Sequence, residues 1–231
     1  MNESARVPFV AWSGWPHIRY SFLLLLFVTA WFGLVFAGAD WFTAHRITRV
    51  RIDFGFESDI PLIPVFTLAY MSIYLLFLAV PFVLRARREV TALATAQSLT
   101  ILVAGICFFL IPAKLAFAPV DDSELGIWKS LFRFADRLNL DYNLVPSLHV
   151  ALSIVCIEWF CIYASRSVKI CFRLWGVAIA ASTLFTHQHH LVDVAAGYIL
   201  AWGMVRFMKR GRVPANEAPS IVVPREASTF S

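Results

Sequence analysis

Six apolar runs, at approximately 19–38, 62–84, 90–111, 146–164, 170–187 and 190–208, approach the length needed to cross a bilayer. A hydrocarbon core about 30 Å thick takes about 20 helical residues. With 59% of its 231 residues hydrophobic and 15% charged, the chain does not have the composition of a soluble domain. The expected fold class is all-α: a polytopic membrane protein whose six transmembrane helices form one bundle. One catalytic transmembrane domain is expected over 1–210. The stretch 211–231, rich in proline, serine and alanine and without apolar periodicity, reads as a flexible cytoplasmic tail. Lys169 and Arg173 intrude at the start of the fifth run, where both can snorkel to the interface.

The formal charge is +5, and its placement says more than its size. Arg6, Arg19, Arg85–Arg88, Arg166–Arg173 and Lys209–Arg212 would share one side of a six-span bundle. The loops at about 39–61 and 112–145 dilute their basic residues with Asp40, Asp53, Glu57, Asp59, Asp121, Asp122, Glu124, Asp136 and Asp141. Basic residues mark the cytoplasmic side, so both termini are expected there and the two long loops outside. No basic face with interleaved exposed aromatics suggests nucleic-acid binding. An alternative reading makes Ala37-Gly38-Ala39 a signal-peptidase site. Short loops and the lack of an organellar address favour a bacterial inner membrane, with the outer loops facing the periplasm or exterior. Trp41, Phe42, Phe54, Phe56, Trp128, Phe132 and Phe134 suit the headgroup region, and 124–138 suits a short interfacial helix that could roof a pocket. The cysteines, Cys107, Cys156, Cys161 and Cys171, lie in or beside apolar runs and read as small buried side chains.

Ionisable groups at the ends of such runs are functional candidates by default. Pro146-Ser147-Leu148-His149 opens the fourth run, and Ser182, His189 and Asp193 flank the join between the fifth and sixth. His189 and Asp193 are four apart and share a helical face. The carboxylate can therefore hold one imidazole nitrogen and leave the other free. His187, His189 and His190, with Asp193 and His149, invite a metal reading as well. One helix face cannot collect 187, 189 and 190 together, which counts against a single dense site. Gln188, His187 and His190 otherwise read as interface polar groups bonded to water or headgroups. Glu158, in the middle of its run, is left without an assigned role.

"NLVPSLHVALS" at 143–153 and "STLFTHQHHLVDVAAG" at 182–197 resemble the second and third signature motifs of the type-2 phosphatidic acid phosphatase superfamily. That superfamily includes lipid phosphate phosphatases, prenyl pyrophosphate phosphatases and vanadium haloperoxidases. The subgroup resembled is that of inositol phosphorylceramide synthases and related bacterial membrane phosphatases. The resemblance covers roughly 60–208, with the signature motifs within 112–197. It departs from the usual pattern at Thr183, where an arginine usually follows the serine, and at "IPAKLAFAPV", which offers Lys114 but Pro119 where an arginine is usual. His187 and loop residues such as Lys129 or Arg133 could supplement the thinned set of cations.

The resemblance implies phosphoryl transfer from a lipid phosphate without a cofactor or metal. His189 would be the nucleophile forming a phosphohistidine, Asp193 its partner, and His149 the acid and base. Lys114, Ser147 and Ser182 would hold phosphoryl oxygens. Hydrolysis of a phosphomonoester or pyrophosphate lipid is the leading expectation. Transfer of a phospho-headgroup to a lipid alcohol is the alternative, and a non-catalytic lipid-binding or transport scaffold is the rival from another class.

Overall fold

The computed structural model describes residues 9–139 and 142–210. The helices, in chain order, are α1 (Trp15–Ala44), α2 (Thr67–Met71), α3 (Ile73–Val83), α4 (Arg87–Leu110), α5 (Asp122–Leu125), α6 (Lys129–Leu138), α7 (Leu148–Tyr163), α8 (Arg166–Phe185) and α9 (Leu191–Arg210). Five segments are long and apolar enough to span a membrane: α1, the stretch Pro64–Val83 that includes α2 and α3, α4, α8 and α9. This is an all-α polytopic membrane fold. The expected tail at 211–231 lies outside the described residues.

The sixth expected span is different in kind. Its helix has 16 residues, about 24 Å at the α-helical rise and shorter than the hydrocarbon core. The apolar run from 146 overestimates it because Pro146 and Ser147 are not helical. Ser147 has extended backbone and its Oγ accepts from Val150 N–H at 3.4 Å, which makes it the N-cap. Residues 143–147 are buried ahead of it. Irregular backbone is tolerated at membrane depth when protein surrounds it. α7 is buried on nearly all sides, from Val150, Ala151 and Val155 to Ile157, Trp159 and Phe160. Its all-round apolar sequence suits that central position. By contrast, α1 packs chiefly on α4 and leaves Leu23, Leu26 and Leu34 about two-thirds exposed. Ala37, Gly38 and Ala39 lie within α1, as continuous helix.

Alternation of the spans gathers loops 45–63, 111–147 and 186–190 at one end. Arg85, Arg87, Arg88, Arg166, Lys209 and Arg210 lie toward the other. Glu158 finds a partner across the α7–α8 contact, accepting from Arg173 Nε at 3.0 Å.

α7 and α9 meet with almost no space between them. A Cβ added at Gly197 would sit 2.5 Å from the Ser147 carbonyl oxygen and 3.2 Å from Val150 Cβ. Gly197→Ala is expected to cost roughly 1–3 kcal/mol, because a backbone carbonyl must move. Gly203→Ala, on the same helix with nothing within 4 Å of the added carbon, should be near neutral. Thermal unfolding of both variants in detergent checks the difference.

Candidate active site

The end of α8 builds the first part of the site. Thr186 closes the helix and His187 adopts φ 54°, a left-handed conformation uncommon for a residue with a side chain. His187 N–H bonds Leu184 O at 3.0 Å and Gln188 N–H bonds Thr183 O at 2.9 Å. Paired bonds of this kind close helices where the next residue turns left-handed. His187 offsets its backbone strain with its ring: Nε2–H donates to Ile60 O at 2.9 Å, and the ring stacks on Phe117 with centroids 4.1 Å apart. The reversal carries Gln188, His189 and His190 back toward the bundle axis, where α9 begins at Leu191.

His189 and Asp193 meet as their spacing suggests. His189 Nδ1–H points to Asp193 Oδ2 at 3.3 Å, and the same oxygen accepts His190 N–H at 2.8 Å. His189 is 5% exposed and Asp193 fully buried. Asp193 Oδ1 has no hydrogen-bond partner among the described residues. With Nδ1 committed to the carboxylate, His189 Nε2 is left with its lone pair. A bond of 3.3 Å is long for a charge-assisted pair, as is common before a substrate is bound.

The Pro-Ser-Leu-His segment reaches this carboxylate through the main chain. Ser147 N–H donates to the Asp193 carbonyl oxygen at 3.0 Å, locking the start of α7 to the first turn of α9. His149 follows one turn into α7 and is close enough to His189 to interact electrostatically. Its Nε2–H donates to Tyr70 O at 2.7 Å, and its ring stacks on Tyr70 with centroids 3.8 Å apart. The Nδ1 of His149 is therefore the nitrogen left for chemistry.

The remaining expected residues are placed less uniformly. Ser182 is buried, with Oγ donating to Ile179 O at 2.6 Å within its own helix. Ser147 Oγ serves the cap already described. Lys114 is exposed, while its neighbours Ala113 and Leu115 pack with Leu144 and Val145. Its backbone N–H joins Val50 O at 3.1 Å beside the isolated Val50–Ala113 bridge. The Lys114 ammonium has no partner among the described residues. Lys129 and Arg133 are already engaged, with Asp122 at 2.7 and 2.9 Å, and Arg133 also with Asp136 at 3.2 Å. These bonds hold the Asp122 carboxyl below its ordinary range. The two cations therefore brace the outer segment.

Gln188, His187 and His190 each bond to protein, and Gln188 and His190 are buried. His190 Nδ1–H donates to Glu57 Oε2 at 2.7 Å, and its Nε2 accepts from Ala116 N–H at 3.0 Å. The three imidazoles of the cluster thus have separate hydrogen-bond partners. Among the described residues, no three His, Cys, Asp or Glu side chains converge as metal ligands.

Glu57, Tyr70 and Asn139 carried no signal in the sequence. Glu57 is a single carboxylate among aromatics, and Tyr70 acts partly through its carbonyl. Asn139 ends the interfacial helix. α6 is strongly amphipathic, with Phe132 and Ala135 buried beneath it. Asn139 accepts from Tyr70 Oη–H at 2.8 Å and donates through Nδ2 to Gln188 Oε1. Gln188 Nε2 in turn reaches Asp136 Oδ1 at 3.3 Å. The expected roof is therefore latched to the residue preceding His189. Asn139→Ala is expected to raise hydrogen–deuterium exchange across 129–138 by about tenfold, as a local opening free energy falls by ~1–2 kcal/mol. Exchange in the first turns of α9 should stay near wild type.

Residues 53–207 match the PAP2 superfamily, the superfamily of type-2 phosphatidic acid phosphatases. No curated protein and no solved structure matches the chain. Membership supports a phosphatase or phosphotransferase type of activity on a membrane-embedded helical scaffold. The match takes in all the helices from α2 to α8, both histidine segments and most of α9, so the chain belongs to the PAP2 superfamily.

Proposed function

We propose that this protein is a lipid phosphate phosphatase. It hydrolyses a phosphomonoester or pyrophosphate lipid at the non-cytoplasmic face of the membrane through a phosphohistidine. The observation that supports this most is the buried His189–Asp193 pair, tied to the His149 helix by Ser147 N–H on Asp193 O at 3.0 Å. Basic residues gathered at the opposite end support the orientation. A bacterial inner membrane is the setting that fits best.

In the first step His189 Nε2 attacks phosphorus and the bond from phosphorus to the leaving oxygen breaks. Protonated His149 delivers its Nδ1 proton to that oxygen. Asp193 holds the Nδ1 proton of His189 and offsets the positive charge that develops on the phosphorylated ring. The carbonyl of Tyr70 keeps the other His149 nitrogen protonated and aimed. In the second step His149 Nδ1 takes a proton from water as its oxygen attacks phosphorus, which releases phosphate and restores His189. The N–H groups of Leu148 and His149, at the start of α7, have no intrahelical partner and can donate to phosphoryl oxygens. Lys114 supplies the available ammonium, with Ser147 and Ser182 as hydroxyls whose present bonds would have to exchange for the substrate.

The test is phosphate release by purified protein in detergent from phosphatidic acid, phosphatidylglycerophosphate and polyprenyl pyrophosphate, without divalent metal and with every product identified. Wild type is expected to release phosphate from at least one of them. His189→Ala should fall to background, and His149→Ala should lose about 10²–10⁴-fold. A phosphorylated lipid alcohol in place of free phosphate would reassign the chain as a transferase. Turnover that His189→Ala does not reduce, or none on any substrate, would overturn the proposal. Loss of activity to a chelator, restored by added metal, would replace the metal-free mechanism.

A further inference from the structure

His190 is 1% exposed and lies beside the proposed nucleophile, yet the two steps above give it no task. Its ring is bound at both nitrogens. Nε2 accepts from Ala116 N–H at 3.0 Å, so in the neutral ring the proton resides on Nδ1, which donates to Glu57 Oε2 at 2.7 Å. Phe117 stacks on this ring at 4.7 Å and on His187 at 4.1 Å, slotted between the two imidazoles.

Glu57 is equally enclosed, at 1% exposure. Its Oε1 accepts from Phe54 N–H at 3.0 Å, and its Oε2 takes Leu191 N–H at 3.2 Å besides the His190 proton. A buried carboxylate is costly unless hydrogen bonds compensate it, and here three donors do so. Two of the three come from the segment that joins His189 to α9. The loop carrying Glu57 is itself joined to the loop carrying Ala116, through Val50 N–H on Pro112 O at 2.9 Å and Lys114 N–H on Val50 O at 3.1 Å. His190 is thus gripped from two outer loops, and its own N–H reaches the oxygen of Asp193 that His189 uses.

We propose that Glu57 is a positioning residue for His189. By fixing the His190 ring and Leu191 N–H, it sets the His190 peptide, whose N–H holds Asp193 Oδ2 in place to receive the His189 proton. For its catalytic consequence this rests on the phosphohistidine reading, but the geometry it asserts does not.

Two readouts separate the two ideas. The first is ¹⁵N NMR of histidine-labelled protein in detergent, which reports the tautomer and hydrogen bonding of each ring, assigned by His189→Ala and His190→Leu. In folded Glu57→Gln the His189 Nδ1 proton signal is expected to shift and broaden together with that of His190. The second is steady-state kinetics on whichever lipid phosphate the wild type cleaves. Glu57→Gln should lower kcat by about 10–100-fold, the scale seen when partners that orient a reactive residue are removed. KM should stay within about twofold, since no substrate contact is lost. His190→Asn, which keeps an N–H donor toward Glu57, should retain more activity than His190→Leu. The double variant Glu57→Gln/His190→Leu should be no worse than the weaker single one.

His189 signals unchanged in Glu57→Gln, or costs that add in the double variant, would overturn the positioning role. If Glu57→Gln does not fold, the contrast between His190→Asn and His190→Leu decides in its place, and equal behaviour of those two overturns it. A wild type that turns over no substrate would sink the phosphohistidine reading, while the NMR comparison would still decide the positioning.

Discussion

One main-chain hydrogen bond, Ser147 N–H to Asp193 O at 3.0 Å, fixes the relation on which the candidate site depends. It joins the residue that caps α7 to the first turn of α9, so the two histidine segments cannot drift apart while both helices persist. The close approach needs Gly197, since any Cβ there would strike the Ser147 carbonyl. The bond lies where α7 starts below the surface of the bundle, at the end of a buried irregular stretch. The short central helix and the buried irregular stretch ahead of it are thus one feature.

Much of this was legible because it follows from period and length. Apolar runs gave the spans, and the spacing of His189 and Asp193 gave their shared face. The basic segments gave the grouping of the loops. The charged amphipathic stretch before Asn139 gave the short helix α6. What escaped is contact across long sequence separation by groups with no pattern of their own. Glu57 meets His190 over 133 positions, and Tyr70 meets His149 through a carbonyl that any residue would provide. The sixth span was overestimated for a related reason: hydropathy counts Pro146 and the buried residues before it as apolar, whereas helix geometry stops at the Ser147 cap. His187, His190 and Gln188 were read as wetted because polar residues at a membrane interface usually are. Here two outer loops and α6 supply partners, and Gln188 and His190 are buried.

Most cations at this end of the bundle are already engaged. Arg51 pairs with Asp53, Lys129 and Arg133 pair with Asp122, and the Arg49 guanidinium lies 3.9 Å over the Tyr142 ring. Two buried carboxylates, Asp193 and Glu57, lie against imidazoles. A phosphate arriving here without compensation would meet a field of its own sign. On the proposed mechanism, neutral phosphate binding does not rest on arginines. It rests on Lys114, the free N–H groups at the start of α7, and positive charge on the histidines themselves, His149 when it is loaded with its proton and His189 once it carries the phosphoryl group. Asp193 then stabilises the cationic His189 ring in a low-dielectric site, where such pairing is strongest.

The roof fits the same electrostatics. With α6 latched through Asn139 to Gln188 and Tyr70, the two catalytic candidates are shielded: His189 is almost wholly enclosed and His149 partly so. Shielding strengthens each pairing inside. The latch residue Gln188 is covalently next to the nucleophile candidate, and Tyr70 touches the acid candidate with both its ring and its carbonyl. Displacing the roof therefore disturbs the neighbours of both imidazoles at once.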